Sequence, residues 1–171
     1  MKIPKPEEGL VINYSYLWHQ EAVRGQEEGR KDRPCAVILA SQGDRVAVAP
    51  ITHTPPKGSE AIEVPPQVKQ QLGLDDQKSW IVTTEVNHFT WPGHDVRPVS
   101  RQNPNQMEYG KLPPGLLNQT KREVRDNARS RSLKQVNRDD DQQQKPEKDR
   151  PRSSASQIMK KQREQSKKRK R

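Results

Sequence analysis

Arg33-Pro34-Cys35-Ala36-Val37-Ile38-Leu39, followed after Gln42-Gly43-Asp44 by Arg45-Val46-Ala47-Val48-Ala49-Pro50-Ile51, is the stretch whose reading decides the fold. Two short, almost continuous apolar runs flank a turn signal. Runs of this length bounded by turn residues read as buried strands, so residues 35–51 are expected to form a hairpin. Pro34 suits the first residue of a strand, where a missing N–H is tolerated. Upstream, the β-branched and aromatic run from Leu10 to Trp18 follows Gly9 and reads as a first strand. Residues 19–32 hold Gly25, Gly29 and seven charged residues and read as a loop. Downstream, Ala61-Ile62-Glu63-Val64 alternates and reads as a fourth strand, and Trp80–Val86 as a fifth. Between them, Pro65 to Leu72 fits a short helix closed by Gly73. The Pro, Asn and Gly content of 92–115 predicts irregular structure. Leu116 to Val136 is rich in helix formers, with Thr120-x-x-Glu123 read as a capping box and a thin apolar stripe of Leu117, Val124, Ala128 and Leu133. Five short strands with little helix predict a mainly β fold, a small, strongly bent barrel or sandwich.

Charge divides the chain. Residues 1–112 hold 39 of its 48 apolar residues and all seven aromatics, with 13 Lys+Arg against 14 Asp+Glu. Residues 113–171 hold 9 apolar residues and 19 Lys+Arg against 8 Asp+Glu, so the net charge of +10 sits on the last third. The expected organisation is one small domain over 1–112, a helix over 113–137 and a disordered basic tail over 138–171. Lys160, Lys161, Arg163, Lys167, Lys168, Arg169, Lys170 and Arg171 concentrate the tail's charge. Such cations release counterions from nucleic-acid phosphates and give affinity without sequence preference. RNA, or DNA, is therefore the expected partner, with a merely solubilising tail as the plain alternative. The tail has no aromatic residue to stack on bases.

Several classes are excluded. The domain is too short for a Rossmann or TIM architecture, and no run approaches the roughly eighteen apolar residues of a membrane span. Met1-Lys2-Ile3-Pro4-Lys5 is not followed by an apolar stretch, so no secretory signal is expected and the cytoplasm is the expected compartment. A single cysteine, Cys35, excludes an internal disulfide framework. His53, His88, His94 and Asp95 are scattered without ligand spacing, so neither metal nor cofactor is expected. Within the hairpin, an arginine entering one strand and a threonine leaving the next could meet at one phosphate. Arg33 would supply charge and paired donors, and Thr52 a hydroxyl. A strand-end salt bridge from Arg33 to Asp32 or Glu28, and a turn-capping role for Thr52, are the structural alternatives.

Gly9-Leu10-Val11-Ile12, then Arg33-Pro34-Cys35-Ala36-Val37-Ile38, then Pro50-Ile51-Thr52, match in order and spacing the pattern of the MazF/PemK toxins of bacterial toxin–antitoxin systems, which the chain resembles over roughly residues 8–136. The resemblance implies a small SH3-like, CcdB/MazF-like barrel that forms homodimers. It implies a metal-independent endoribonuclease that cleaves single-stranded RNA through its 2′-OH, inhibits growth, and is covered by an acidic segment of a cognate antitoxin. Arg33 and Thr52 fall on the family's catalytic positions. Glu28 falls where the family carries a glutamate. His53 or His88 would stand in for an acid or base that the family places after the fifth strand. The alternatives are a non-catalytic RNA- or DNA-binding module of the same fold, and an inhibitor of a protein target of the gyrase type.

Overall fold

In the computed structural model, residues 3–139 are described; the basic cluster from Lys160 to Arg171 lies outside them. The elements run β1 (Leu10–Ser15), α1 (His19–Val23), β2 (Asp32–Ala40), β3 (Arg45–Thr52), β4 (Ala61–Glu63), α2 (Pro66–Gln71), β5 (Trp80–Val82), β6 (Glu85–Thr90), β7 (Glu108–Lys111), α3 (Pro114–Arg129) and β8 (Lys134–Asn137). The expected hairpin is β2–β3, paired from Cys35↔Pro50 to Ala40↔Val46. The protein is mainly β, with eight strands in one sheet ordered β4-β5-β3-β2-β1-β7, and with β6 on β3 and β8 on β6. All pairs are antiparallel except β6–β8. Strand pairing leaves β4, β7 and β8 as edges, so the sheet is open rather than a hydrogen-bonded closed barrel.

Both faces of the central strands are buried, which explains why their apolar runs do not alternate. Val11, Ala36, Ala47, Ala49 and Ile51 pack with Val68 and Leu72 of the α2 region and Val124 of α3. Ile12, Tyr14, Cys35, Val37, Val46 and Val48 pack on the opposite side with Phe89 and Trp91. A register slip between Val37 and Leu39 buries Ile38 and turns Leu39 out.

Several expectations are corrected. Residues 19–23 form a helical turn, because the Glu21 carboxylate accepts the Trp18 N–H at 3.3 Å and Gly25, at φ +89°, ends the turn. The fifth strand is two: Ile81 pairs with Ile51 on β3 and Ile62 on β4, whereas 85–90 run along β3 from Arg45 to Val48. The irregular 92–115 contains β7, which pairs Val11 with Gly110. The expected capping box at Thr120 is not formed: the C-terminal helix starts at Pro114, next to the expected 113, and the Thr120 hydroxyl donates back to the Leu116 carbonyl at 2.8 Å, in mid-helix. It ends at Arg129, and 134–137 then add to the free edge of β6. The folded part also runs past 137. Arg138 is buried, and Asp139 accepts the Thr90 N–H at 2.9 Å. No helix among the described residues is long and apolar enough to cross a membrane.

Candidate functional site

Arg33 enters the fold as the second residue of β2, opposite Tyr14 of β1. The chain reaches it past Gly29, which lies so close to the end of β1 that a Cβ there would be 2.6 Å from the Tyr16 carbonyl oxygen and 2.8 Å from Ser15 Oγ. The Arg33 guanidinium stands over the Trp18 ring, 4.9 Å from its centroid. Its Nε is buried and donates to nothing among the described residues. Burial lowers the Arg33 pKa, against the opposing influence of Cys35, Glu21 and Tyr16. Neither Asp32 nor Glu28 forms a salt bridge with it.

Behind this pair, the Trp18 ring meets the Tyr16 ring edge-on at 5.0 Å. The Tyr16 hydroxyl donates to Glu85 Oε1 at 3.1 Å, and the His19 N–H donates to the same oxygen at 3.1 Å. Glu85 is only 6% exposed, and burial raises its pKa above the ordinary carboxylate value despite those donors. Its Oε2 accepts no hydrogen bond among the described residues.

Thr52 closes β3, and its hydroxyl oxygen accepts the Thr54 N–H at 3.2 Å. The turn-capping role and a place in the site thus coexist, since among the described residues the hydroxyl proton faces a distant Thr54 carbonyl at 3.5 Å. His53 follows, with Nδ1 2.9 Å from the Lys78 carbonyl oxygen and Nε2 2.8 Å from Asp75 Oδ2. The buried Lys69 ammonium donates to Asp75 Oδ1 at 2.9 Å and also to the Gln77 carbonyl. Lys69 lowers the Asp75 pKa, assisted by His53.

These groups share one cleft of about 670 Å³, lined by Arg33, Thr52, His53, Trp18, Glu85 and Tyr109 among others. Arg24, Arg30 and Lys31 add cations to its wall, of which Arg30 is paired with Glu21 at 3.5 Å. The fold therefore brings Arg33, Thr52 and His53 together. It does not bring Glu28, an exposed residue whose carbonyl accepts from Gln26 at 2.8 Å. Nor does it bring His88, which sits opposite Ala47 with Nδ1 2.7 Å from Arg45 Nη2. Trp91 is buried on Phe89 and donates its indole N–H to the Pro4 carbonyl at 3.0 Å, so it does not face the cleft. Among the described residues no three His, Cys, Asp or Glu side chains converge as a metal site. Sequence reasoning missed Glu85. The one signal was a carboxylate directly after the apolar run Trp80–Val82 and two threonines.

Chemically, the cleft offers a desolvated guanidinium with an unused donor, a hydroxyl donor, and a buried carboxylate with one open oxygen. No family model matches the chain, and no curated protein matches it.

Proposed function

We propose that this cleft holds a phosphate of single-stranded RNA and that the protein is a toxin-like, metal-independent endoribonuclease. The observation that carries the reading is the buried Nε of Arg33, unpartnered among the described residues, in the same cleft as the Thr52 hydroxyl. A donor that water no longer satisfies gains most when an anion arrives, and it gains more as charge builds on a pentavalent phosphate. In the proposed step the 2′-oxygen bonds to phosphorus and the P–O5′ bond breaks, leaving a 2′,3′-cyclic phosphate and a 5′-hydroxyl. Glu85 takes the 2′-OH proton, a task its raised pKa suits. Arg33 and Thr52 hold the phosphoryl oxygens. Arg33, whose pKa burial lowers, donates to the departing oxygen, and exchange with solvent restores both groups.

The same reading takes the open sheet as a variant of the SH3-like, CcdB/MazF-like barrel, and takes a homodimer and an acidic antitoxin segment as partners. These rest on the resemblance over residues 8–136. The non-catalytic RNA- or DNA-binding reading draws on a separate observation. Both ring nitrogens of His53 already face acceptors and His88 lies against Arg45, so neither histidine is presented as an acid or base in the cleft.

Expression of the full chain beside Arg33→Ala separates the two. The proposed ribonuclease arrests growth and fragments RNA, in EDTA as well, with cyclic-phosphate ends, and Arg33→Ala does neither. Salt-dependent RNA binding with no product would transfer the conclusion to the binding module.

A further inference from the structure

We propose that Arg138 is a positioning residue that holds the cationic wall of the cleft in place from the far end of the chain. This inference rests on the phosphate-binding reading of the cleft and extends it to a residue outside the cleft lining.

Arg138 follows β8, and its N–H donates to the His88 carbonyl at 2.8 Å, continuing the β6–β8 pairing by one step. Its side chain is only 4% exposed. Nη1 donates to the Glu27 carbonyl at 2.8 Å, while Nη2 and Nε lie 3.1 and 3.3 Å from Asp95 Oδ2. One guanidinium thus joins segments far apart in sequence, among them the end of β8, the loop before β2 and the loop after β6. A fork of donors in one plane can do this; a single ammonium cannot reproduce it.

The point of attachment matters. Glu27 lies between Arg24 on one side and Arg30 and Lys31 on the other, the cations that this loop supplies to the cleft. The neighbouring backbone bonds are local: Gly25 N–H to the Ala22 carbonyl and Gln26 N–H to the Glu21 carbonyl, both at 3.0 Å. The Gln26 side chain also turns back on the Glu28 carbonyl. Among the described residues, the Arg138–Glu27 bond ties this segment to a remote part of the fold, in addition to the close approach of Gly29 to Tyr16. A loop held at two points presents its charges in one arrangement; a loop held at one point loses that preorganisation when a phosphate must be bound.

The test uses the full chain as wild type, Arg138→Lys and, in case the first variant folds poorly, Asp95→Asn. Amide hydrogen exchange is followed over residues 24–31 and, as an internal reference, over β3. Binding is measured with a 2′-O-methyl RNA dodecamer, which cannot be cleaved. Exchange in 24–31 is expected to rise, with β3 unchanged, and affinity to fall about tenfold, the scale of one lost hydrogen bond from a charged group. Adding Arg24→Gln and Lys31→Gln to Arg138→Lys is expected to weaken binding by less than those changes do in the wild type, because the loop no longer presents them. Unchanged exchange in 24–31, a loosened loop with undiminished affinity, or fully additive losses would each overturn the inference. If the wild-type protein does not bind the dodecamer, the phosphate reading fails instead, and the exchange comparison alone decides whether Arg138 holds the loop.

Discussion

The Arg33 guanidinium stands over Trp18 with its carbon 4.9 Å from the ring centre, and its Nε is buried there without a partner among the described residues. The aromatic face fixes the cation without using its hydrogen-bond donors. Stacking therefore orients Arg33 without engaging its donors, which distinguishes it from an arginine consumed by a salt bridge.

Arg33→Lys tests that geometry. Lysine keeps the charge but loses the planar contact and the paired donors. RNA cleavage by the purified variant is expected to fall by about 100-fold or more, on the scale of removing one transition-state donor. Its melting temperature should stay close to wild type, since Arg33 is only half-buried.

Glu85→Gln separates stability from activity. The amide oxygen can still accept from Tyr16 and His19, but no charge is buried. Burial raises the folded-state pKa of Glu85 above its unfolded value, so the ionised form costs stability at neutral and alkaline pH. That cost is relieved as pH falls through the raised folded value and is gone below the unfolded one. Calorimetry at pH 8 should show the variant melting above the wild type, with the gap narrowing towards acid pH. Cleavage should be lost at every pH.

Gly29→Ala forces a methyl against backbone. The new Cβ would stand 2.6 Å from the Tyr16 carbonyl oxygen and 2.9 Å from the Ser15 carbonyl carbon, neither of which is a side-chain tip that can swing aside. A loss of about 1–3 kcal/mol is expected from denaturant titration, typical of overpacking. RNA affinity should fall as well, because the displaced segment carries Arg30 and Lys31.

Asp139→Asn probes the end of the folded part. Burial disfavours the Asp139 carboxylate, but the Thr90 N–H and hydroxyl, Arg45 and His88 outweigh it and hold its pKa below the ordinary value. The stability it contributes is therefore present above the unfolded carboxylate pKa and is lost as pH falls through the lower folded one. At pH 7 the variant should be destabilised by about 1 kcal/mol, the scale of one partly exposed charge-assisted hydrogen bond. The difference should vanish in acid, as a pH series of thermal melts would show.

Much of the central sheet was legible because its strands are apolar on both faces: Cys35–Ile38 and Val46–Ala49 have no other place to go. α1 was hidden by its composition, since one polar turn looks like a loop until Glu21 and Gly25 cap it. β7 and β8 were hidden for a different reason. Each is four residues long and exists by adding to an edge that another strand leaves open. Local propensity around Lys134–Asn137 favoured helix, and pairing with β6 overrode it.

The sequence by itself determined the hairpin, the segregation of charge, and the placing of Arg33 and Thr52 at strand ends where they could meet, because burial patterns and strand termini are local properties. Only the tertiary structure decided that Glu85 belongs in the cleft, that His88 and Trp91 do not, and that Arg138 reaches back to Glu27. Those facts depend on which side chains converge across more than sixty residues of chain, as in the Tyr16–Glu85 bond. Hydrophobic periodicity records that a side chain is buried, but not which partners it is buried with.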